Sequence, residues 1–276
     1  MTKPFRFAVP LLFSLAACSQ APPPAPKAAS PAPFAGTYVD LSHEYADNSI
    51  FWPTAEGFHL EKVSDGINDK GYYYAANNFA GAEHGGTHLD APIHFAQGHQ
   101  SVEQIPLDRL IGPVVVVDVS AKAAANADYQ ISVDDLTAWE QAHGPIDASM
   151  MVLFRTDFSK RWPDAATYMG TTERGDAAVA KLHFPGIHPA AATWLAAKKV
   201  KAIGIDTASI DYGQSTMFET HRTLYGLDVP AFENLANLDQ VPPTGATLFA
   251  LPMKIKGGSG APLRAVAIVP TRTDVR

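Results

Sequence analysis

The sequence centres on HGGTHLDAPIHF, residues 84–95, which places three histidines and one aspartate in one short stretch. Imidazole and carboxylate are the ligands that borderline divalent cations such as Zn²⁺ and Mn²⁺ accept. Gly85 and Gly86 provide the backbone freedom that a chain needs to turn several side chains toward one point. The stretch therefore predicts a metal site.

His84 and His88 are spaced like the two histidines of H-E-x-x-H, which lie one turn apart on a helix in zinc metalloproteases. Here the intervening residues are Gly-Gly-Thr, and no glutamate stands at the position of the base. Two glycines oppose a helix by about 2 kcal/mol relative to alanine. The stretch is therefore predicted to be a loop. A polar turn without a ligand is the alternative, and the density of ligand-type side chains weighs against it.

The same stretch resembles the signature H-x-G-T-H-x-D-x-P-x-H-F of the cyclase family of metal-dependent hydrolases, which includes bacterial kynurenine formamidase and isatin hydrolase. The resemblance begins near Tyr38 and continues to the C-terminus. It implies an α/β class protein with a single-domain β/β/α swivelling fold and a mixed sheet. It also implies a hydrolase that cleaves the C–N bond of a small arylformamide or cyclic amide. Further matching runs lie at residues 40–43, 204–211, 233–235 and 251–254.

The resemblance also implies a ligand set for two divalent ions. One ion is expected on His84, His88 and Asp90. The second is expected on Asp90, His221 and Glu233, so that Asp90 is shared. His221 and Glu233 match the family in order and spacing, although an isolated histidine or glutamate is by itself a weak signal. The ligands contain no sulfur, and they do not separate Zn from Mn.

His94 is assigned to general acid/base catalysis, as the family assigns its matching histidine. An unperturbed imidazole titrates at about pH 6.5 and can both accept and donate a proton. In this hypothesis a metal-activated hydroxide attacks the amide carbonyl, and His94 returns a proton to the leaving nitrogen.

Phe51 and Trp52 precede Pro53 and are open to two interpretations. They fold back on the core as a surface loop, or they form an apolar wall for a flat aromatic substrate, worth roughly 0.5–1.5 kcal/mol.

Two other functions are compatible with the same residues. A lipoprotein that binds a metal or a small molecule without turnover would use the ligands alone, and the presence of His94 weighs against it because binding needs no acid/base. A lactone hydrolase would have an identical metal site, so only tests with substrates would distinguish it from an amidohydrolase.

Several polar residues outside these motifs carry weaker signals. Asp206 and Asp211 follow a predicted strand, where they either orient ligating histidines or cap a turn. The family resemblance favours the supporting role. His43 is interpreted as a hydrogen-bonded structural residue at a strand end. His183 and His188 are interpreted as loop residues.

The N-terminal part predicts export. Residues 1–18 have the pattern of a secretory signal that ends in LAAC, which resembles a bacterial lipobox and implies lipidation of Cys18. Plain secretion with an incidental cysteine is the alternative. Residues 19–35 are rich in alanine and proline and are predicted to be an extended tether. Residues 36–276 are predicted to be the hydrolase domain of a periplasm-facing or secreted envelope protein.

The charge and cysteine content limit the partners. The formal net charge is −7, and loss of Lys3 and Arg6 with the signal would change it to −9. An acidic protein is a poor partner for nucleic acid and for anionic lipid surfaces. Membrane contact is therefore expected only through the lipid on Cys18, the single cysteine in the chain. The expected partners are a small-molecule substrate and, from the resemblance, a second copy of the chain in a homodimer.

Apolar runs and caps predict the elements of the domain. Residues 114–117 read VVVV, which favours a strand buried on both faces. Tyr72, Tyr73 and Tyr74 are expected to pack in a sheet, and one of these rings is a candidate for the lining of the pocket. Helices are predicted from Ser132 to about residue 144, from residue 189 to residue 199, and over residues 215–225. The predicted strands are residues 37–41, 71–79, 114–119, 150–154, 200–205, 247–251 and 264–269.

Overall fold

The four valines at residues 114–117 lie in the middle of a large sheet, and all four are buried, as their composition predicts. Val114 and Val116 face one hydrophobic cluster inside the sheet. Val115 and Val117 face a second cluster, which the sheet shares with the helices. Alternate side chains of a strand point to opposite faces. Both faces of this strand are therefore covered, one by side chains from other strands of the same sheet and one by helices.

The computed structural model describes residue 1 and residues 34–271. The predicted signal, Cys18 and almost all of the predicted tether lie outside the described residues. No helix within the described part has the length and apolar composition needed to span a bilayer. The strands are β1 Thr37–Asp40, β2 His59–Ile67, β3 Tyr73–Ala80, β4 His88–Asp90, β5 Ile111–Asp118, β6 Gln130–Ile131, β7 Met151–Arg155, β8 Gly186–Ile187, β9 Ala202–Ile205, β10 Ala231–Glu233, β11 Ala246–Pro252 and β12 Gly260–Val269. The helices are α1 Ser120–Ala125, α2 Val133–His143, α3 Ala165–Tyr168, α4 Asp176–Val179, α5 Pro189–Lys198 and α6 Glu219–Tyr225.

Eight strands form one mixed sheet in the order β1-β12-β11-β5-β7-β9-β10-β4. The strands from β5 to β10 run parallel, and the other pairings are antiparallel. One edge of β12 pairs with β11, while its other edge pairs first with β4 and then with β1. The pairing of β4 with β12 closes the sheet into a barrel. The predicted α/β class with a mixed sheet is confirmed.

Three helices cover the parallel strands on their outer face. Leu136 of α2, Leu195 of α5 and Leu224 of α6 pack with the outward residues of the parallel strands. The predicted start of α2 is confirmed, because Ser132 and Asp135 form a reciprocal capping box. This layer fixes α6 against the sheet beside β4 and β10.

The central motif differs from its prediction in one respect. It forms no long helix, as expected, but His88–Asp90 is the strand β4 and not a loop. Its partners β10 and β12 come from distant parts of the chain, so no local pattern reveals the pairing. The helix predicted over residues 215–225 begins only at Glu219, because Phe218 has a left-handed φ of 48°.

Strands β2 and β3 form a separate two-stranded hairpin. Tyr73 and Tyr74 lie in this small sheet, as predicted, but Tyr72, Tyr73 and Tyr74 are 55, 62 and 52 % exposed, so the predicted packing of their rings is wrong. Within the described residues the hairpin is paired only with itself. Its apolar side chains lie on both faces, where alternation along the sequence cannot reveal that neither face is covered.

Candidate metal centre

Adjacent strands place the central ligand-type side chains. His88 and Asp90 are two residues apart on β4 and therefore point to the same side of the sheet. Glu233 on β10 is the direct cross-strand partner of His88. His221 lies on α6, which packs beside the turn that follows β4. Strand register and helix packing thus bring together four side chains from three segments of the chain.

The two glycines of the motif are needed for different reasons. Gly86 has a φ of +58°, a backbone conformation that favours glycine. A Cβ atom on Gly85 would lie 2.0 Å from the ring of Phe51, which pairs with Gly85 in an isolated bridge. The prediction of backbone freedom holds for Gly86, whereas Gly85 provides space for an aromatic ring.

The first group of candidate ligands, here called the outer group, consists of His84, His88 and Asp90. One ligand atom from each lies within 4.8 Å of the others. Asp90 Oδ1 is 2.7 Å from His84 Nδ1 and 3.0 Å from His88 Nε2. The side chain of His84 is 22 % exposed, whereas the other two are buried.

The second group, here called the inner group, consists of Asp90, His221 and Glu233, and one ligand atom from each also lies within 4.8 Å of the others. His221 Nε2 lies 3.4 Å from Asp90 Oδ2 and 3.3 Å from Glu233 Oε1. All three side chains are at most 5 % exposed. The structure therefore brings together all five predicted ligands, with Asp90 common to both groups.

The chemistry of these donors fits a cation. His88 Nε2 is buried and has no hydrogen-bond partner among the described residues, because it faces Asp90 Oδ1 without hydrogen-bond geometry. Burial and the charge of Asp90 raise the pKa of Glu233. Burial alone would also raise the pKa of Asp90, but the neighbouring His84 and His221 hold it well below the usual range. Two buried carboxylates and an unpartnered imidazole nitrogen around one point are stabilised by a metal ion placed between them.

Both candidate groups open into one cavity of about 290 Å³. Phe51 and Trp52 line its wall, where Trp52 makes edge and tilted contacts with Phe184 and Phe218. Of the two interpretations of Phe51 and Trp52, the structure supports a wall of the cavity. Phe218 was not singled out from the sequence. The remaining lining residues are Ile50, Ala55, Ala82, His84, Gly85, His88, Asp90, His94, Phe95, Ala208, Ser209, Glu233 and Asn234.

His94 lies at the end of a short 3₁₀ turn, Pro92–His94, and lines the cavity beside both groups. Its ring stacks on that of His84 with centroids 3.8 Å apart. Its Nε2 is 4.0 Å from Asp90 Oδ2, beyond hydrogen-bond distance. Burial lowers the pKa of His94 to about 4, against the opposing effect of Asp90. The neutral ring can accept a proton from a group in the cavity.

Residues behind the ligands hold them in place. Asp211 Oδ2 accepts a hydrogen bond from His221 Nδ1 at 2.5 Å, and Tyr225 donates to Asp90 Oδ2 at 2.9 Å. Tyr225 lies one turn after His221 on α6, a spacing that could have revealed it. Asp206 instead accepts hydrogen bonds from the backbone of Thr156 and Asp157 and caps a turn. Of the two roles predicted for this motif, orienting a candidate ligand is found at Asp211 and capping a turn is found at Asp206.

The other histidines lie away from the ligand groups. His43 stacks on Trp162 with centroids 4.3 Å apart, outside the cavity. His183 pairs with Asp128 at the surface, and His188 caps the N-terminus of α5.

Comparison with known proteins decides the family. The model of the Cyclase family, described as "Putative cyclase", matches residues 39–212. Isatin hydrolase from Roseibium aggregatum is 37 % identical over 84 % of this chain and 86 % of its own length. Kynurenine formamidase from Salinibacter ruber is 34 % identical over 66 % of this chain and 74 % of its own. Isatin hydrolase A from Labrenzia aggregata bound to benzyl benzoate has a TM-score of 0.77 at 35 % identity, covering 85 % of this chain and 94 % of that one. An isatin hydrolase bound to the product analogue thioisatinate has a TM-score of 0.75 at 33 % identity, covering 85 and 92 %.

The chain belongs to the cyclase family. This cyclase-family member is a metal-dependent amidohydrolase that acts on C–N bonds other than peptide bonds. A divalent metal fits its ligand groups, and a small molecule is its substrate. The predicted resemblance is therefore confirmed, while the roles of individual residues stay predictions.

Proposed function

We propose that this chain hydrolyses the ring amide of a small cyclic amide fused to an aromatic ring, of which isatin is the example. The support comes from the lining of the cavity. Candidate ligands occupy one side, and aromatic side chains occupy the wall that includes Phe51, Trp52, Phe95 and Phe218. A flat aromatic ring can pack on this wall while its amide carbonyl faces the ligand groups.

The lining favours isatin over an open formamide such as N-formylkynurenine, which carries an ammonium and a carboxylate on its side chain. Among the described residues, no lysine or arginine lines the cavity. The nearby Arg174 donates to the backbone carbonyl of Ala55. A buried charge without a partner is costly. The uncharged cyclic amide therefore fits this cavity better than the zwitterion.

His84, His88 and Asp90 would hold one divalent ion, and Asp90, His221 and Glu233 would hold a second, either Zn or Mn. Bound metal would supply a water with a lowered pKa and polarise the carbonyl. The buried carboxylates and imidazoles would hold these ions, and the aromatic wall excludes bulk water from the amide.

His94 serves as the general acid/base. Its neutral ring faces the cavity and accepts the proton of the attacking water. As the C–N bond breaks, the same ring returns that proton to the leaving ring nitrogen. The product then carries a free aromatic amine and a new carboxyl group, which loses its remaining proton to solvent and becomes a carboxylate. Phe51 and Trp52 hold the aromatic ring in line during this exchange.

The test compares two substrates on one preparation. The full chain, loaded with Mn²⁺ or Zn²⁺, is assayed with isatin and with N-formylkynurenine, and kcat/KM is measured for each. We expect the value for isatin to be higher by at least tenfold, which corresponds to about 1.4 kcal/mol. Faster turnover of N-formylkynurenine would assign the chain to the formamidases, which the relatives named kynurenine formamidase make the second candidate. Inactivity on both substrates with metal bound would favour a lactone or a binding role.

We also propose that the chain is a homodimer in which the β2–β3 hairpin contacts the second copy. The support is the exposed apolar surface of the hairpin, which includes Tyr73 and Phe79, 62 and 58 % exposed. Monomeric proteins rarely expose contiguous apolar surface of this kind. Analytical ultracentrifugation of the chain and of its Tyr73→Ser/Phe79→Ser variant tests this proposal. A monomeric wild-type chain would contradict it.

A third proposal concerns location. Residues 1–18 direct export, Cys18 receives a lipid, and residues 19–35 tether the domain at the cell envelope. The full chain, expressed in a bacterium, is expected to enter the detergent-rich phase of a two-phase extraction. Cys18→Ala should move it to the aqueous phase. Equal partition of the two forms would contradict lipidation.

A further inference from the structure

The three candidate histidine ligands do not present the same ring nitrogen. His88 and His221 turn Nε2 toward the other ligands, and their Nδ1 atoms contact the carbonyl of Gly86 and the carboxylate of Asp211. His84 has the opposite orientation. Its Nδ1 lies 2.7 Å from Asp90 Oδ1, and its Nε2 lies 2.9 Å from Ser259 Oγ. For His84 to bind a cation beside Asp90 through Nδ1, its ring hydrogen must be on Nε2.

A hydrogen-bond relay from Glu83 does this. Ser259 Oγ donates to Glu83 Oε2 at 2.7 Å. A carboxylate only accepts, so the single hydroxyl hydrogen of Ser259 is committed to Glu83. The hydroxyl oxygen then has only lone pairs to offer, and His84 must donate from Nε2. A neutral imidazole has one N–H, so Nδ1 of His84 is left with a lone pair. That lone pair lies 2.7 Å from Asp90 Oδ1, which also only accepts, so a cation is needed between the two atoms.

The loop that carries Ser259 is built around this ring. Glu83 Oε2 also accepts from the backbone N–H groups of Ser259 at 2.9 Å and Gly260 at 3.3 Å. A Cβ atom on Gly260 would lie 2.5 Å from Cε1 of His84. The residue before the ligand and the loop that precedes β12 thus clamp the imidazole on two sides. This clamp uses no side chain of the inner group.

We propose that Glu83 and Ser259 are positioning residues that hold His84 in the Nε2–H tautomer and so direct its Nδ1 lone pair to a divalent ion. The inference rests on the proposed metal site. Partners that orient a ligating histidine commonly change metal affinity by about 10–100-fold. Loss of the hydroxyl removes the acceptor that fixes the proton on Nε2. The affinity for metal at the outer group should fall by that factor, and the affinity at the inner group should not change.

The experiment uses Zn²⁺ alone and measures binding, independent of activity. The metal-free full chain is titrated with Zn²⁺ by calorimetry, and ¹H–¹⁵N NMR spectra of the Zn²⁺-loaded chain show which nitrogen of each histidine carries hydrogen. In the wild type we expect His84 to carry it on Nε2. Ser259→Ala should weaken one bound Zn²⁺ by about 10–100-fold and change the NMR signal of His84 alone.

Two variants test whether the hydroxyl is responsible. Ser259→Thr keeps a hydroxyl and should restore most of the affinity. Glu83→Ala removes the other end of the relay and should reproduce the loss. Ser149→Ala is the matched control, because Ser149 Oγ also donates to a carboxylate, that of Asp147, on the exposed surface. It should bind Zn²⁺ as the wild type does.

The outcomes separate the two proposals. A wild-type chain that binds no Zn²⁺ would overturn the metal site and this inference together. A wild-type chain that binds Zn²⁺, with Ser259→Ala binding equally well, would overturn only the positioning role. A hydrogen on Nδ1 of His84 in the wild type would also overturn it.

Discussion

The outer and inner groups share Asp90 but are built differently. His221 of the inner group does not line the cavity, and Asp211, itself a buried carboxylate, holds it directly. The outer group borders the cavity, and His84 is supported through a hydroxyl on a loop. The difference teaches that one site can combine a buried half, which contains His221, and a more exposed half, which contains His84.

The largest effect is expected when the shared ligand, Asp90, is removed. Asp90→Ala takes one oxygen from each group and leaves Glu233 as the only carboxylate, so metal content should fall at both. Turnover of isatin should fall by roughly 10⁴-fold or more, about 5 kcal/mol of transition-state stabilisation. Elemental analysis and kinetics measure the two effects. A variant that keeps two metals per chain would show that Asp90 is not shared.

His94 belongs to neither group, so its removal should separate chemistry from metal binding. His94→Ala should lower kcat by about 10²–10⁴-fold and leave the metal content unchanged. The ring makes no hydrogen bond to a ligand among the described residues, so its loss removes the stacking on His84 but no hydrogen bond that orients a ligand. Near-native turnover in the metal-loaded variant would remove His94 from the mechanism. A parallel loss of metal would assign it to the ligands.

The two aspartates that follow β9 should differ in their effect on stability. Burial raises the pKa of Asp206 to about 6, against its hydrogen bonds from Thr156. Burial also acts on Asp211, but His221 lowers its pKa. The folded chain therefore holds the proton of Asp206 more tightly than the unfolded chain does. Its contribution to stability is fully present below about pH 4 and is lost as the pH rises to about 6.

This effect can be measured by urea unfolding of the metal-free chain at several pH values. The free energy of unfolding of the wild type minus that of Asp206→Asn should fall by about 2 kcal/mol from pH 4 to pH 6. Asp147→Asn, at an exposed site, is the control and should show no such change between these pH values. A difference that grows with pH would mean that Asp206 is ionised more readily in the folded chain.

Asp211→Asn tests how the inner group is held, because Asp211 contacts His221 directly. It keeps an oxygen that His221 can donate to but removes the charge that orients the imidazole. Zn²⁺ at the inner group should weaken by about 10–100-fold, while the outer group keeps its affinity. Together with Ser259→Ala, this variant gives a pair with opposite selectivity, measured by the same titration. If both variants weakened the same ion, the division into two groups would be wrong.

The smallest expected effect concerns the wall opposite the ligands. Trp52→Ala removes one aromatic face and should raise KM for isatin by roughly 2–10-fold, about 0.5–1.5 kcal/mol, with little change in kcat. Trp194→Ala is the control, because Trp194 is also half-buried but lies on α5 under Lys198. An unchanged KM in Trp52→Ala would show that Trp52 does not contact the substrate.

Much of the site is local in sequence, and that part was predictable. His84, His88, Asp90 and His94 fall in one stretch, whose spacing and residue types already indicate ligands. His221 and Glu233 needed the family resemblance, because α6 and β10 reach the site only through tertiary packing. Ser259 lies 175 residues from His84 and carries no local signal of a role.

The limits of the fold prediction have similar causes. The buried valines of β5 were predictable from composition, and the start of α2 from its capping box. The strand β4 was missed because three residues with two glycines before them show no strand period, and their pairing depends on β10 and β12. The hairpin tyrosines were misassigned because residue type does not reveal whether a second sheet covers them.

The position of β12 in the chain has a consequence for biosynthesis. This strand is the last one among the described residues, and its pairing with β4 at residues 260–262 closes the sheet beside His88 and Asp90. A ribosome-bound chain therefore carries the ligands of β4 long before it carries the strand that completes their surroundings. Non-local pairing of this kind is slow and comes late in folding. We expect stable metal acquisition to follow the synthesis and pairing of β12, so that a chain without this strand cannot trap a metal ion in an incomplete site.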